Sequence, residues 1–167
     1  MMKKIFIFLF TLVAFNSYSQ VIETTTYYFI RHAEKEIKKN GNDNPNLSKK
    51  GLKRAVFWSD IFKNVKFDDI YSTKFNRTLQ TATPIAKSKK LNIQLYNPKD
   101  LYNGNFKQIT KGKTVLIVGH SNTTPLFINK ILGKEKYLEI KETNYSNLYI
   151  VSIANNQISD VLMQIKY

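Results

Sequence analysis

The sequence contains no cysteine, and this absence excludes several kinds of chemistry. Without thiols the chain forms no disulfide, offers no thiolate nucleophile and binds no zinc through cysteine ligands. A lipoprotein anchor, which is attached to a cysteine, is excluded as well. If the chain is an enzyme, its catalytic groups must come from other side chains.

Arginine is scarce although the chain is strongly basic. The formal net charge is +14, and of the 26 basic residues only Arg31, Arg54 and Arg77 are arginines. The lysines are scattered, as on a solvated surface that attracts anions. No basic run or nucleic-acid motif occurs, so no nucleic-acid partner is predicted. A rare arginine among many lysines indicates a place where planar, bidentate geometry is needed.

The apolar run near the start is too short to cross a bilayer as a helix. It spans 11 positions, Ile5 to Phe15, whereas a spanning helix needs about 20. Two lysines precede it and small residues around Ser19 follow it, which is the order of a secretory signal peptide. We expect cleavage after Ser19, export to the periplasm or the extracellular space, and no membrane span in the mature chain. An uncleaved membrane anchor is the alternative.

Residues 20–167 are expected to form one domain in which strands alternate with helices. Apolar and β-branched stretches predict strands at residues 24–30, 70–72, 93–96, 114–120, 147–153 and 158–165. Helices are predicted at residues 48–64 and 76–88 and between Thr124 and Gly133, while 97–112 is ambiguous. This order predicts an α/β fold, a three-layer α/β/α sandwich around a mostly parallel central sheet.

Two of the helices carry more detailed predictions. The last is expected to take Thr124 as its N-cap and Pro125 as its first residue, with backbone N–H groups that favour anions. The first is expected to begin after Ser48 and to bury one face at helical spacing, formed by Leu52, Ala55, Val56, Ser59 and Phe62.

Both histidines of the chain directly follow strongly apolar strands. His32 comes after "YYFIR" and His120 after "TVLIVG". Arg31 precedes the first histidine, and Arg77 begins a helix after another strand. Ligands of parallel sheets collect at the carboxyl ends of the strands, so we expect these four side chains to share one site. Structural roles for the histidines and a surface salt bridge for Arg77 are the alternatives.

Four motifs occur in an order that is specific to one enzyme family. They are "RHAEK", "NPNLSKKGLKRA", "YSTKFNRTLQTA" and "VLIVGHSNTTP". As a set they resemble the histidine phosphatase superfamily, also called phosphoglycerate mutase-like. The resemblance implies an acid-type phosphatase that hydrolyses phosphomonoesters through a phosphohistidine and needs no cofactor. It implies that His32 is the nucleophile and that Arg31, Arg77 and His120 bind the phosphoryl group.

A general acid must protonate the leaving oxygen. Many members of the family place a carboxylate between the second arginine and the second histidine. Between Asp69 and Glu135 this chain has one carboxylate, Asp100. Asp100 is therefore the candidate acid, and a surface residue capping a short helix is the alternative. Glu34 receives no role.

Other interpretations remain open at this point. A metal site of His32, Glu34 and His120 would hold a cation beside two arginines, so no metal is predicted. Three alternative functions remain: a binding module of the same fold without turnover, a phosphomutase, and a basic surface protein that binds membranes or polyanions. The expected partner is a small-molecule or macromolecular phosphate ester. The sequence does not indicate an oligomeric state.

Overall fold

The structure is a computed structural model that describes residues 23–37 and 43–167. The predicted signal peptide, residues 1–19, lies outside the described residues. Within the described ranges, no helix combines the length and the apolar character that crossing a membrane requires.

One six-stranded sheet organises the described part of the chain, with helices on both of its faces. The strands are β1 (Thr24–Arg31), β2 (Asp69–Ser72), β3 (Ile93–Leu95), β4 (Thr114–Gly119), β5 (Asn147–Ala154) and β6 (Gln157–Gln164). The helices are α1 (Lys49–Ile61), α2 (Asn76–Lys89), α3 (Gly104–Ile109) and α4 (Thr123–Leu132). The strand order is β3-β2-β4-β1-β5-β6. The first four strands of that order are parallel to one another, and β5 and β6 add antiparallel pairs.

Alternating side chains of the strands build a separate core on each face of the sheet. On one face Phe29 of β1 packs in a cluster with Phe127 of α4. On the other face Ile30 packs in a cluster with Trp58 of α1 and Ile85 of α2. The three-layer α/β/α sandwich with a mostly parallel sheet, predicted from the sequence, is therefore confirmed.

The parallel pairing of β1 with β4 brings the two histidines together. Arg31 at the end of β1 lies opposite Gly119 at the end of β4. The next residue, His32, donates its backbone N–H to the Gly119 carbonyl at 2.9 Å. Strand β2 lies on the other side of β4, with Ser72 opposite Val118. The carboxyl ends of three neighbouring strands therefore meet at one edge of the sheet.

Helix α1 buries a different face from the predicted one. Ala55 and Phe62 are buried as expected, but Leu52 and Val56 are 49% and 53% exposed. The buried side of the helix also includes Gly51, Arg54 and Trp58.

Contacts with Glu34 explain this orientation of α1. A Cβ atom on Gly51 would lie 2.0 Å from the Glu34 carbonyl oxygen, so only glycine fits the close approach. Arg54 turns to the same side because it forms an ion pair with the Glu34 carboxylate. The apolar pattern alone therefore predicted the wrong face.

The ambiguous segment and the last helix also differ from expectation. Residues 97–112 contain α3, whose N-cap Asn103 accepts a hydrogen bond from the Phe106 N–H at 2.8 Å. Helix α4 is capped by Asn122 rather than by Thr124, so it begins earlier than predicted. It ends, as expected, at Gly133, whose φ of 67° lies in the left-handed region that glycine adopts freely.

Candidate active site

A cavity of about 300 Å³ opens where β1, β2 and β4 end. His32, Arg77 and His120 line it, together with Lys35 and Phe75. The two imidazole rings are 5.5 Å apart between their centroids. They are 3% and 7% exposed, so both are nearly enclosed by protein. The structure therefore brings both histidines and one of the two predicted arginines to the same cavity.

The hydrogen bond of His32 determines its tautomer. Its Nδ1 lies 2.8 Å from the Ala33 carbonyl oxygen, which can only accept a hydrogen bond. Nδ1 therefore carries the proton, and Nε2 of the neutral ring has a free lone pair. Ala33 is held in turn, because its N–H donates to Thr81 Oγ1 at 2.9 Å. This is the arrangement that a histidine nucleophile requires.

Two buried hydroxyl groups orient His120. Its Nε2 lies 2.9 Å from Thr73 Oγ1, which lies 2.8 Å from Thr78 Oγ1. Thr78 Oγ1 in turn donates to the backbone carbonyls of Thr73 and Phe75. Since these carbonyls take the Thr78 proton, Thr73 donates to Thr78 and accepts from the Nε2–H of His120. Thr73 and Thr78 of "STKFNRTLQT" thus position the second histidine.

Both histidines are neutral at pH 7. Burial is the main cause that lowers the pKa of His32, to about 3, and the charge of Arg31 acts in the same direction. The hydrogen bond to the Ala33 carbonyl acts in the opposite direction. Burial, together with Arg77 and Arg31, lowers the pKa of His120 to about 4. A histidine must be neutral to act as a nucleophile, so the surroundings of His32 favour that role.

Arg77 presents a guanidinium to the cavity. Its Cζ lies 4.5 Å from the centroid of the Phe75 ring, a cation–π contact that fixes the plane of the group. Its Nε is buried and has no acceptor among the described residues. Burial and the charge of Arg31 lower its pKa, yet arginine stays protonated in proteins. The site thus holds a positive charge whose donors suit an anion.

Arg31 is more deeply enclosed than Arg77 and does not line the cavity. Its Nη1 donates to the carbonyls of Lys141, Glu142 and Asn144 at 3.0, 3.1 and 3.1 Å. Its Nη2 donates to the Glu142 carboxylate at 2.8 Å, while the buried Nε lacks an acceptor among the described residues. Arg31 therefore anchors the turn before β5, and Nε is the one nitrogen of its guanidinium without an acceptor among the described residues.

Behind the site a stack of rings and guanidinium groups supports Arg31. The Tyr145 ring centroid lies 4.5 Å from Arg31 Cζ and 5.9 Å from Arg54 Cζ. Arg54 makes two hydrogen bonds, of 2.8 and 2.9 Å, to the Glu34 carboxylate. Glu34, unassigned from the sequence, therefore pairs with Arg54. The described residues also contain no cluster of three metal-ligating side chains.

The structure does not bring Asp100 to the cavity. Asp100 is exposed in the turn before α3, and its carboxylate accepts a hydrogen bond from Asn103 Nδ2 at 2.7 Å. The carboxylates that line the cavity belong to Glu139 and Glu142. Ser121 Oγ lies 3.2 Å from the first and 2.9 Å from the second.

The sequence analysis missed these two glutamates because they lie on the loop before β5, outside the four motifs. The hydrogen bond from Ile140 N–H to the Ser121 carbonyl, 2.9 Å, holds that loop at the site. Burial opposes ionisation of Glu142, but Ser121 and Arg31 together hold the pKa of its carboxyl below the usual value.

Comparison with known proteins agrees with this geometry. Residues 27–101 match the histidine phosphatase superfamily (branch 1). That range contains Arg31, His32 and Arg77. No curated protein sequence matches the chain.

Several solved structures share the fold across most of their length. A phosphoserine phosphatase variant from Entamoeba histolytica, bound to phosphoserine, is 18% identical with a TM-score of 0.62, covering 84% of this chain and 95% of its own. A mycobacterial glucosyl-3-phosphoglycerate phosphatase with bound VO3 is 11% identical with a TM-score of 0.64, covering 85% and 100%. The phosphoglycerate mutase of Bacillus anthracis is 15% identical with a TM-score of 0.63, covering 85% and 93%. Residues 27–101 thus resemble the histidine phosphatase superfamily, and the chain shares the fold of these solved structures.

Proposed function

We propose that this protein is an acid-type phosphatase that hydrolyses phosphomonoesters through a phosphohistidine on His32. The observation that carries the proposal is a single cavity lined by two neutral, oriented histidines and a guanidinium, with a second guanidinium enclosed beside it. The buried Nε atoms of Arg31 and Arg77, without acceptors among the described residues, are donors suited to phosphoryl oxygens.

The first step transfers the phosphoryl group to the protein. Nε2 of His32 forms a bond to phosphorus while the bond from phosphorus to the leaving oxygen breaks. Arg77 and the Nε of Arg31 stabilise the charge on the three remaining oxygens, and His120 does so from Nδ1 once that atom has taken up the proton of a monoanionic ester. In the second step water attacks the phosphohistidine, which releases inorganic phosphate and restores neutral His32.

The leaving oxygen takes up a proton during the first step, and Glu139 is the better placed donor. Arg31 and Ser121 bind the Glu142 carboxylate and hold its pKa below the usual value, which disfavours Glu142 as the proton donor. Glu139 also lines the cavity, and its Oε1 lies 3.2 Å from Ser121 Oγ, whose single proton is donated to the nearer Glu142. In this proposal Glu139 takes the role that the sequence suggested for Asp100.

The proposal places the enzyme outside the cytoplasm. It rests on the order of charged, apolar and small residues in positions 1–19. Secretion of a fusion of this segment to a reporter enzyme supports export, and a reporter retained in the cytoplasm contradicts it.

Hydrolysis of p-nitrophenyl phosphate by the wild type and by His32→Ala tests the catalytic proposal. We expect the variant to lose at least about 1000-fold in kcat, because the nucleophile is removed. Lys53→Ala, an exposed change on α1, is the control and should keep full activity. Rapid quenching in alkali, where phosphohistidine survives, should trap phosphate on the wild type. Equal rates for wild type and His32→Ala would contradict the proposal that the protein is an enzyme. Tight phosphate binding without turnover would indicate a binding module.

A further inference from the structure

A second and larger cavity adjoins the phosphoryl cavity. It has a volume of about 660 Å³ and lies between the end of β2 and the segment that follows β3. Phe75 and Pro98 line both cavities, so the two spaces share a wall. An ester whose phosphoryl group lies beside His32 and Arg77 can extend its leaving group past Phe75 and Pro98. The larger cavity is the adjoining space in which that group can lie.

We infer that this second cavity is a leaving-group site for phosphomonoesters that carry an apolar or aromatic group together with a second negative charge. The inference rests on the proposed function and deepens it, because it names the class of substrate. Two independent features of the cavity support it, the nature of its walls and the sign of its charges.

The walls offer apolar surface that is open to solvent. Leu95, at the end of the edge strand β3, is 61% exposed, which is unusual for a large aliphatic side chain beside a cavity. The rings of Phe75 and Tyr96 and the ring of Pro98 line the same space. Ligand sites are mostly lined by apolar and aromatic side chains with a few polar groups. An apolar leaving group placed here would remove the Leu95 side chain from water.

The charges of the two cavities differ. Glu139 and Glu142 line the phosphoryl cavity beside its cations. Lys74 and Lys99 line the second cavity, and none of the described residues that line it is a carboxylate. Two ammonium groups near an apolar wall attract an anion and disfavour a cationic or purely neutral leaving group.

Matched substrates and variants separate the two features. Phenyl phosphate and 4-carboxyphenyl phosphate differ by one carboxylate, and ethyl phosphate and 2-phenylethyl phosphate differ by one ring. For the double variant Lys74→Ala/Lys99→Ala, we expect the ratio of kcat/KM between the carboxylated and the plain phenyl ester to fall about fivefold or more. The control Lys53→Ala/Lys87→Ala removes the same charge from α1 and α2, away from both cavities, and should leave that ratio unchanged.

The apolar wall is tested with Leu95→Ser. We expect kcat/KM for 2-phenylethyl phosphate to fall about fivefold relative to ethyl phosphate, because the ring loses its apolar contact. If the wild type hydrolyses these esters and His32→Ala does not, but neither ratio changes in the variants of the second cavity, the leaving-group site is overturned and the phosphatase stands. If wild type and His32→Ala are equally inactive on all four esters, both proposals fail.

Discussion

The orientation of His120 depends on two buried hydroxyl groups. His120 reaches the backbone through Thr73 and Thr78, both fully buried. Such a chain fixes the ring plane and the position of the ring proton without adding charge to a site already rich in cations. Thr73 is therefore a positioning residue for His120.

Replacing Thr73 with valine should test this role. Valine keeps the shape but removes the hydroxyl, so the Nε2–H of His120 loses its acceptor and the ring its orientation. We expect kcat for p-nitrophenyl phosphate to fall about tenfold, with a loss of about 1 to 2 kcal/mol in the free energy of unfolding. Thr73→Ser keeps the hydroxyl and should restore kcat. A Val variant as active as the Ser variant would contradict the role.

At this scale the sequence predicted those residues that local pattern can reveal. His32 and His120 follow apolar strands, and the structure brings them to one cavity. Glu139 and Glu142 could not be found in this way, because a loop distant in sequence brings them to the site. The "NRTLQT" motif could have pointed to three further residues, because Thr78 and Thr81 lie in it and Thr73 lies beside it. A sequence does not show, however, which threonines have buried hydroxyl groups.

At the scale of whole elements, α1 and β1 are joined through the main chain of Glu34. The Glu34 carbonyl accepts the backbone N–H of Ser48 at 2.9 Å, and the Gly51 backbone lies against it. Its carboxylate holds Arg54 at the same place. The helix is therefore docked by a polar contact, which is why hydrophobic spacing did not predict its buried face.

The substitution Gly51→Ala should break this docking. A Cβ at this position would lie 2.0 Å from the Glu34 oxygen, a main-chain atom that cannot rotate away. We expect the free energy of unfolding to fall by about 2 kcal/mol or more, measured by urea denaturation. Gly104→Ala, where a Cβ would meet nothing within 4 Å, is the matched control and should change stability little. Equal stability of the two variants would contradict the docking contact.

At the scale of the whole molecule, the buried histidines link stability to pH. Their pKa values in the folded protein are about 3 and about 4, below the ordinary value of 6.5. At pH values between the folded-state pKa of each histidine and 6.5, the unfolded chain binds protons that the folded chain does not. Acidification below pH 6.5 therefore favours unfolding, by about 1.4 kcal/mol per pH unit for each histidine.

Urea denaturation at pH 7, 6 and 5 should reveal this linkage. We expect the wild type to lose about 2 to 4 kcal/mol of unfolding free energy between pH 7 and pH 5. The double variant His32→Gln/His120→Gln lacks both titrating rings, and its stability should change much less over this range. Carboxylates contribute mainly below this window because their ordinary pKa values are lower. Identical slopes for the two proteins would show that the histidines are not the linked groups.

The strand order has a consequence for how the chain folds. Strand β1 lies near the centre of the sheet, yet its neighbours come late in the chain, with Tyr28 opposite both Leu116 and Ile150. Pairings so distant in sequence make folding slow, because long loops must close before the strands gain any contact. This delay would favour the proposed export. The central sheet cannot form until β4 and β5 have been synthesised, so the chain stays unfolded for longer and can pass through a translocation channel.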